Sequence, residues 1–231
     1  MLSCEGYFKK ITYKSLQGND EQRFKEGDSL RQIFDAENKD TVMFFTDKCQ
    51  LYRADVSDFE NTKASVIGDF LPSVLKMDPG EKPIYMTLQS EFRDGYNYVF
   101  IFENGKGVRV PEKAYETSSV RRKLKGVFSP ASPIVAVFSE QEKNPFEIML
   151  VSSEDRAIII KTSLIPIKST KTSIGVQLMT VKKNQKLISA FSDFESIYEN
   201  TKGYRKLKLP ATGVLLTEKD VKKQQLSFDD M

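Results

Sequence analysis

The sequence predicts an all-β fold built from a repeated four-stranded unit, and three observations carry this prediction. Short segments rich in β-branched and aromatic residues alternate with turn signals along most of the chain, as in antiparallel sheets. The pattern recurs at intervals of about fifty residues, which is typical of propeller blades. Helical periodicity is weak, and only residues 28–34 and 214–225 could hold short helices.

Three copies of the unit are well formed. Each has an apolar run (42–45, 98–102 or 148–151), a short polar turn and a second strand. The turn at Asn104-Gly105 is the strongest, because this dipeptide adopts the positive φ angles of a tight hairpin. We therefore expect each copy to begin with a β-hairpin.

The second half of each unit is marked by a glycine about twenty residues after the turn. The glycines are Gly68, Gly126 and Gly175, and a further strand is predicted after each, at 84–88, 134–138 and 187–191. Weaker copies of the turn occur at Glu5-Gly6 and at Lys202-Gly203.

Together these signals predict four to five blades of a propeller-like repeat, whose ring could be closed or open. The predicted units lie near 1–40, 41–90, 91–140 and 141–192, with a degenerate unit at 193–215 and a flexible tail at 216–231. The alternative is an ordinary antiparallel β-sandwich whose hairpins resemble one another by chance.

Composition restricts the possible chemistry. The chain has no histidine and only two cysteines, which excludes imidazole-based nucleophile activation and a disulfide framework. Paired aspartates such as Asp55 and Asp58 show no metal-ligand pattern, so no metal site is expected. A carboxylate-based enzyme with its site at the propeller axis stays open. No apolar run is long enough to span a membrane, and we expect a cytoplasmic location.

The charges are segregated along the chain, although the net charge is only +3. Residues 104–126 contain seven basic and two acidic side chains, whereas residues 17–42 contain seven acidic and four basic ones. A chain with separated charges can present one basic face to a polyanion.

The repeated pattern of turn, hydrophobic residue and basic residue resembles the C-terminal domain of bacterial type II DNA topoisomerase A subunits. The stretches that carry the likeness are 5–12, 46–53, 104–111 and 152–159, and it extends over about residues 1–215. The resemblance implies a β-pinwheel whose blades exchange strands and a basic perimeter that binds and bends duplex DNA to present a segment to a cleavage core.

The same resemblance implies what this domain lacks. The family's catalytic tyrosine lies in another region, so no catalytic residue and no cofactor are expected here. ATP and Mg²⁺ would belong to the holoenzyme, in which the partners are the rest of the A subunit and the ATPase B subunit. Such an enzyme is nucleoid-associated.

One stretch departs from the gyrase pattern. Gyrase A subunits carry an arginine- and glycine-rich heptapeptide after the first hairpin, but residues 17–28 are acidic overall and lack its Arg-Arg-Gly-Gly core. The departure argues against gyrase-type wrapping and favours a topoisomerase IV-like or divergent gyrase A subunit.

The basic residues after the turns and in the loops beyond them are the candidate phosphate contacts, because several such charges give salt-sensitive, sequence-indifferent affinity. The candidates are Lys9, Lys10, Arg53, Lys106, Arg109, Arg121, Arg122, Lys123, Lys125, Arg156, Lys161, Lys168 and Lys171. Two alternatives stay open: the charges could merely protect strand edges, or they could bind an acidic protein partner.

Overall fold

The computed structural model describes residues 1–17, 21–89, 93–117 and 121–222. Within these residues the chain forms four four-stranded sheets. The helices are short: α1 (Tyr13–Leu16), α2 (Leu71–Val74) and α3 (Phe194–Ile197), with single 3₁₀ turns between strands. The all-β prediction is confirmed.

The strands are numbered in chain order, and the edge-to-edge order is given for each sheet. Sheet 1 has the order β3-β1-β2-β6 and is formed by β1 (Leu2–Ser3), β2 (Tyr7–Phe8), β3 (Leu30–Gln32) and β6 (Asp69–Phe70). Sheet 2 has the order β10-β5-β4-β7 and is formed by β4 (Thr41–Thr46), β5 (Gln50–Asp55), β7 (Pro83–Leu88) and β10 (Lys123–Lys125). Sheet 3 has the order β11-β8-β9-β14 and is formed by β8 (Tyr96–Phe102), β9 (Lys106–Pro111), β11 (Ile134–Gln141) and β14 (Val176–Gln177). Sheet 4 has the order β15-β12-β13-β16 and is formed by β12 (Glu147–Ser152), β13 (Arg156–Lys161), β15 (Leu187–Phe191) and β16 (Val214–Leu215).

The chain divides into two compact units. Unit 1 comprises residues 1–94, 112–130 and 170–172 and holds sheets 1 and 2. Unit 2 comprises residues 95–111, 131–169 and 173–231 and holds sheets 3 and 4. The hairpin strands are apolar enough to be buried on both faces. Phe44 of unit 1 and Ile158 of unit 2, for example, are completely inaccessible to solvent.

The sheets exchange strands. β6 follows the β4–β5 hairpin in the sequence, yet it pairs with β2 of sheet 1. In the same way β10 pairs with β5 and β14 pairs with β9, each after the next hairpin has been made. This exchange defines a β-pinwheel, and it differs from the contiguous units predicted above by one strand in each sheet. We call β6, β10, β14 and β16 the edge strands, because each occupies the same edge of its sheet.

The four hairpins share one backbone feature, a residue with positive φ in the turn. These turn residues are Gly6, Cys49, Gly105 and Asp155, with φ between 52° and 89°. In every sheet, the residue two positions after the turn residue pairs with the edge strand. The partners are Asp69, Leu124, Val176 and Val214.

This alignment corrects one sequence interpretation. The residues just before those four partners are Gly68, Lys123, Gly175 and Gly213, so Gly126 is not the equivalent of Gly68 and Gly175. Glycine is needed because a Cβ at Gly68 would lie 2.3 Å from the carbonyl oxygen of Phe8, and one at Gly175 would lie 2.2 Å from that of Gly107. In sheet 2 the equivalent residue is Lys123, which is part of the regular pairing between β10 and β5, so no glycine is needed there.

The C-terminal part also differs from the prediction. Lys202-Gly203 lies in a 3₁₀ turn (Thr201–Tyr204) and makes no fifth hairpin; the segment instead leads to β16 of sheet 4. Residues 216–222, expected in the tail, are attached to unit 2: Leu216 packs against its core and the Lys222 amide donates to the Ile197 carbonyl. The rest of the predicted tail, 223–231, lies outside the described residues. The two helix candidates contain β3 and β16 respectively.

Candidate nucleic-acid interface

Three of the basic residues that follow the hairpin turns are buried. Lys9, Arg53 and Arg109 expose only 2%, 4% and 7% of their surface. Their charged groups are engaged with neighbouring backbone, so in this conformation they do not reach a phosphate. The prediction that these three residues contact DNA is therefore corrected.

Arg53, on β5, binds the segment that leads to β10. Its guanidinium donates to the carbonyl of Tyr115 at 2.8 Å, to the hydroxyl of Thr117 at 3.2 Å and to the carbonyl of Arg121 at 3.4 Å. Its backbone amide donates to the carbonyl of Arg122 at 2.8 Å. The side chain thus spans both ends of this segment.

In unit 2, Arg109 binds the segment that leads to β14 in the same way. It lies four residues after its turn residue, as Arg53 does, and its Nε donates to the carbonyl of Ile165 at 2.6 Å. The guanidinium also forms an ion pair with the buried carboxylate of Glu140 at 2.9 Å. A structural role accounts for all of these contacts.

The lysines that follow the turns at Gly6 and Gly105 are buried or half-buried. The Lys9 ammonium donates to the carbonyl of Ala64, and burial lowers its pKa. Lys10, half-buried, donates to Asn38 and to the carbonyl of Val56. Lys106 is half-buried on β9, where its backbone pairs with Gln177.

The segment of residues 121–125 forms the most exposed group of cations among the predicted ones. Arg121, Arg122 and Lys125 are exposed, whereas Leu124 is buried against the sheet. β10 is an edge strand, and charged edge strands are protected from pairing with other chains. The three exposed side chains are nevertheless free to reach a ligand along this edge.

Lys123, in the same segment, is paired. Its ammonium lies 2.8 Å from the carboxylate of Asp78 and 5.1 Å from the centre of the Tyr52 ring. The hydrogen bond to Asp78, then that to Tyr52, raises the pKa of Lys123 well above its usual range. Lys123 therefore carries its charge firmly, with a carboxylate already beside it.

The other predicted cations are distributed over both units. Lys168 and Lys161 of unit 2 are exposed. Arg156 is exposed too, with one guanidinium nitrogen bound to the carbonyl of Gly213. Lys171 of unit 1 is half-buried and lies 5.6 Å from the centre of the Tyr115 ring.

Sequence reasoning missed a second basic segment, residues 205–208. Its sequence, Arg-Lys-Leu-Lys, repeats residues 122–125 letter for letter, a signal that was available in the sequence. Arg205 is paired with Glu147 at 2.9 Å, and the Lys206 amide donates to the carbonyl of Ile159. Ile159 lies four residues after its turn residue, so this segment approaches the same strand position as Arg122 does. Lys208 is exposed.

The segments that lead to the edge strands therefore differ in charge. Those of sheets 2, 3 and 4 carry exposed cations, whereas that of sheet 1 (60–70) has Lys63 with Glu60 and Asp69. Such edges can bind phosphate groups, and phosphate contacts position a protein on a duplex without reading its sequence. Within the described ranges no group of three or more Cys, Asp or Glu side chains could hold a metal ion, and no helix is long and apolar enough to cross a membrane.

Fold and candidate site together define a class of protein, a β-pinwheel with cations along its edge strands. Residues 147–192 match the family described as DNA gyrase C-terminal domain, beta-propeller. A comparison with curated protein sequences gives no significant match.

Solved structures of this class are similar in fold. The C-terminal domain of DNA topoisomerase IV matches with a TM-score of 0.69 at 19% identity; the match covers 82% of this chain and 58% of that one. The DNA gyrase A C-terminal domain matches with a TM-score of 0.59 at 13% identity over 96% of this chain and 79% of that one. The E. coli ParC C-terminal domain matches with a TM-score of 0.61 at 14% identity; the match covers 96% of this chain and 95% of that one. The predicted likeness to the C-terminal domain of a type II topoisomerase A subunit is confirmed.

Proposed function

We propose that this chain is a non-catalytic DNA-binding domain of a type II topoisomerase A subunit. It binds and bends duplex DNA through phosphate contacts and presents a segment to a separate cleavage core. The observation that carries the proposal is that exposed cations lie on the edge-strand segments of sheet 2 in unit 1 and of sheets 3 and 4 in unit 2. The contacts are with the DNA backbone, so affinity depends steeply on salt and little on sequence.

The residues that carry this function are those whose charges face solvent. In unit 1 they are Arg121, Arg122 and Lys125. In unit 2 they are Arg156, Lys161, Lys168 and Lys208. Lys106, Lys123, Lys171 and Lys206 are half-buried and contribute less.

Gyrase-type wrapping is not part of the proposal, because residues 17–28 lack the basic heptapeptide core. Glu21 and Glu26 are exposed there, and Asp28 accepts hydrogen bonds from the amides of Glu5 and Ser29; residues 18–20 lie outside the described part. When relaxed plasmid is closed in the presence of the domain, we expect no consistent change in linking number. A change in linking number that always has the same sign would instead show that the domain wraps DNA.

The test removes three exposed charges from one edge. We expect Arg121→Gln, Arg122→Gln and Lys125→Gln together to weaken duplex binding and to reduce the slope of log K against log salt by about 3, since each phosphate contact contributes about 0.9. The matched control changes three exposed lysines of the same unit, Lys14, Lys25 and Lys39, to Gln. If the two triple variants lose the same affinity for duplex DNA, only net charge matters and the interface proposed at residues 121–125 is wrong.

The holoenzyme supplies the remaining parts of the proposal. The cleavage tyrosine, ATP, Mg²⁺, the rest of the A subunit and the ATPase B subunit belong to it, and its place is the nucleoid in the cytoplasm. If the domain binds no duplex even at low salt but captures an acidic protein, the exposed cations serve a protein-interaction propeller instead.

A further inference from the structure

We propose that Arg53 is a positioning residue for DNA binding, which holds the basic segment 121–125 in place without touching the nucleic acid. The inference rests on the proposed function, because it assigns to Arg53 the task of presenting Arg121, Arg122 and Lys125. It replaces the direct phosphate contact expected from the sequence.

The contacts of Arg53 join two points of the chain that flank residues 118–120. The Tyr115 carbonyl accepts on one side, and the Arg121 and Arg122 carbonyls accept on the other. Hydrogen bonds to a charged group contribute more to stability than those between neutral groups. Arg53 therefore ties the chain at 115 to the start of the basic segment, through its side chain at Tyr115 and Arg121 and through its backbone amide at Arg122.

Burial argues for a positioning role over a solubilising one. A guanidinium that exposes only 4% of its residue surface has lost much of its hydration. The hydrogen bonds that its two terminal nitrogens make to the segment compensate for part of this loss. Arginine suits this position because its planar fork bonds several acceptors at once, whereas a lysine ammonium bonds as a single point charge.

Unit 2 supports the same interpretation independently. Arg109 occupies the equivalent place four residues after its turn residue, and it binds the carbonyl at 165, which follows the 3₁₀ turn Thr162–Leu164. Tyr115, whose carbonyl binds Arg53, likewise ends a 3₁₀ turn (Glu112–Tyr115). Lys168 then follows on the segment that Arg109 anchors, and its amide donates to the Arg109 carbonyl at 2.8 Å.

When the anchor is lost, β10 still pairs with β5. The residues just before β10, Arg121 and Arg122, must then be ordered when DNA binds, which weakens association. We expect Arg53→Lys, which keeps the charge, to weaken duplex binding about tenfold, a change that corresponds to the loss of one good hydrogen bond. Amides of residues 121–125 should exchange with solvent faster in this variant than in the wild type.

The decisive experiment is a double-mutant cycle in duplex affinity at fixed salt. Arg53→Lys is made in the wild type and in the triple variant Arg121→Gln, Arg122→Gln, Lys125→Gln. If Arg53 acts through the segment, its substitution weakens binding in the wild type but has little effect in the triple variant. An equal loss in both backgrounds, or none in the wild type, overturns the positioning role.

The two proposals fail in different ways. If the triple variant itself binds DNA like the wild type, the proposed interface is wrong whatever Arg53 does. Should Arg53→Lys not fold, Thr117→Val removes one of its hydrogen-bond partners and is tested in the same cycle. Arg23→Lys, at an exposed arginine of the same unit that the proposed interface does not include, is the control for the substitution type.

Discussion

The guanidinium of Arg109 and the carboxylate of Glu140 form an ion pair of 2.9 Å in which both side chains are buried. The pair joins β9 to β11 across sheet 3, with β8 between them. It explains why a basic residue that looked like a surface charge in the sequence belongs to the interior.

Removing one partner of this pair leaves the other buried and uncompensated. We expect Arg109→Met to destabilise unit 2 by about 3–5 kcal/mol, and Arg109→Met with Glu140→Leu to be less harmful than the sum of the two single changes. Urea unfolding of the four proteins measures this. Additive losses would mean that the two charges are not coupled.

Glycine substitutions separate backbone strain from steric overlap. Gly175→Ala should be strongly destabilising, because φ is +71° and a Cβ would lie 2.2 Å from the Gly107 carbonyl oxygen. Gly27→Ala has a positive φ of +76° but open space, and should cost about 1 kcal/mol. Gly203 has neither a positive φ nor a close neighbour, so Gly203→Ala is the neutral control. Thermal unfolding should rank the variants in this order, and a harmless Gly175→Ala would contradict the strand placement.

Alkaline stability should depend on Tyr204. Burial, and then the hydrogen bond to Asp220, raise the pKa of Tyr204 from 10.0 to about 12. The folded state therefore keeps a proton that the unfolded state loses, so this stabilisation is complete below pH 10 and is lost as pH rises through 12. Between those values the wild type should lose unfolding free energy relative to Tyr204→Phe. Tyr198→Phe serves as the comparison, and parallel pH curves for wild type and Tyr204→Phe would refute the prediction.

The second basic segment should contribute to DNA binding. We expect Lys206→Gln with Lys208→Gln to weaken duplex affinity and to lower the salt slope by between about 1 and 2, since Lys206 is only partly exposed. The control is Lys182→Gln with Lys183→Gln, two exposed lysines of unit 2 that the proposed interface does not include. Equal loss in both variants would mean that only net charge matters.

The hairpins could be predicted because their signals are local. An apolar run, a turn residue and a second apolar run lie within about fifteen residues, as at β8, Gly105 and β9, and local sequence preference decides them. The strands after the glycines, such as Pro83–Leu88, were also found. The edge strands are harder to predict from the sequence. β6 and β16 have only two residues each and depend on pairing with residues that are distant in the sequence.

The candidate interface was predicted less well for a related reason. Sequence shows that a side chain is basic but not whether its strand position is buried, so Arg53 and Arg122 looked alike. Their difference follows from pairing: Arg53 lies on a strand with neighbours on both sides, whereas Arg122 adjoins an edge. The tetrapeptide at 205–208 follows Lys202-Gly203, which resembles a hairpin turn, so the local pattern favours a second hairpin strand there over a basic edge segment.

The most direct test of the account is the affinity of the wild-type domain for two unrelated duplexes of equal length, measured over a series of salt concentrations. If binding rests on phosphate contacts, the two affinities are equal and log K falls steeply and linearly with log salt, with a slope corresponding to several phosphates. No binding at low salt, or affinity that follows base sequence and resists salt, would contradict it.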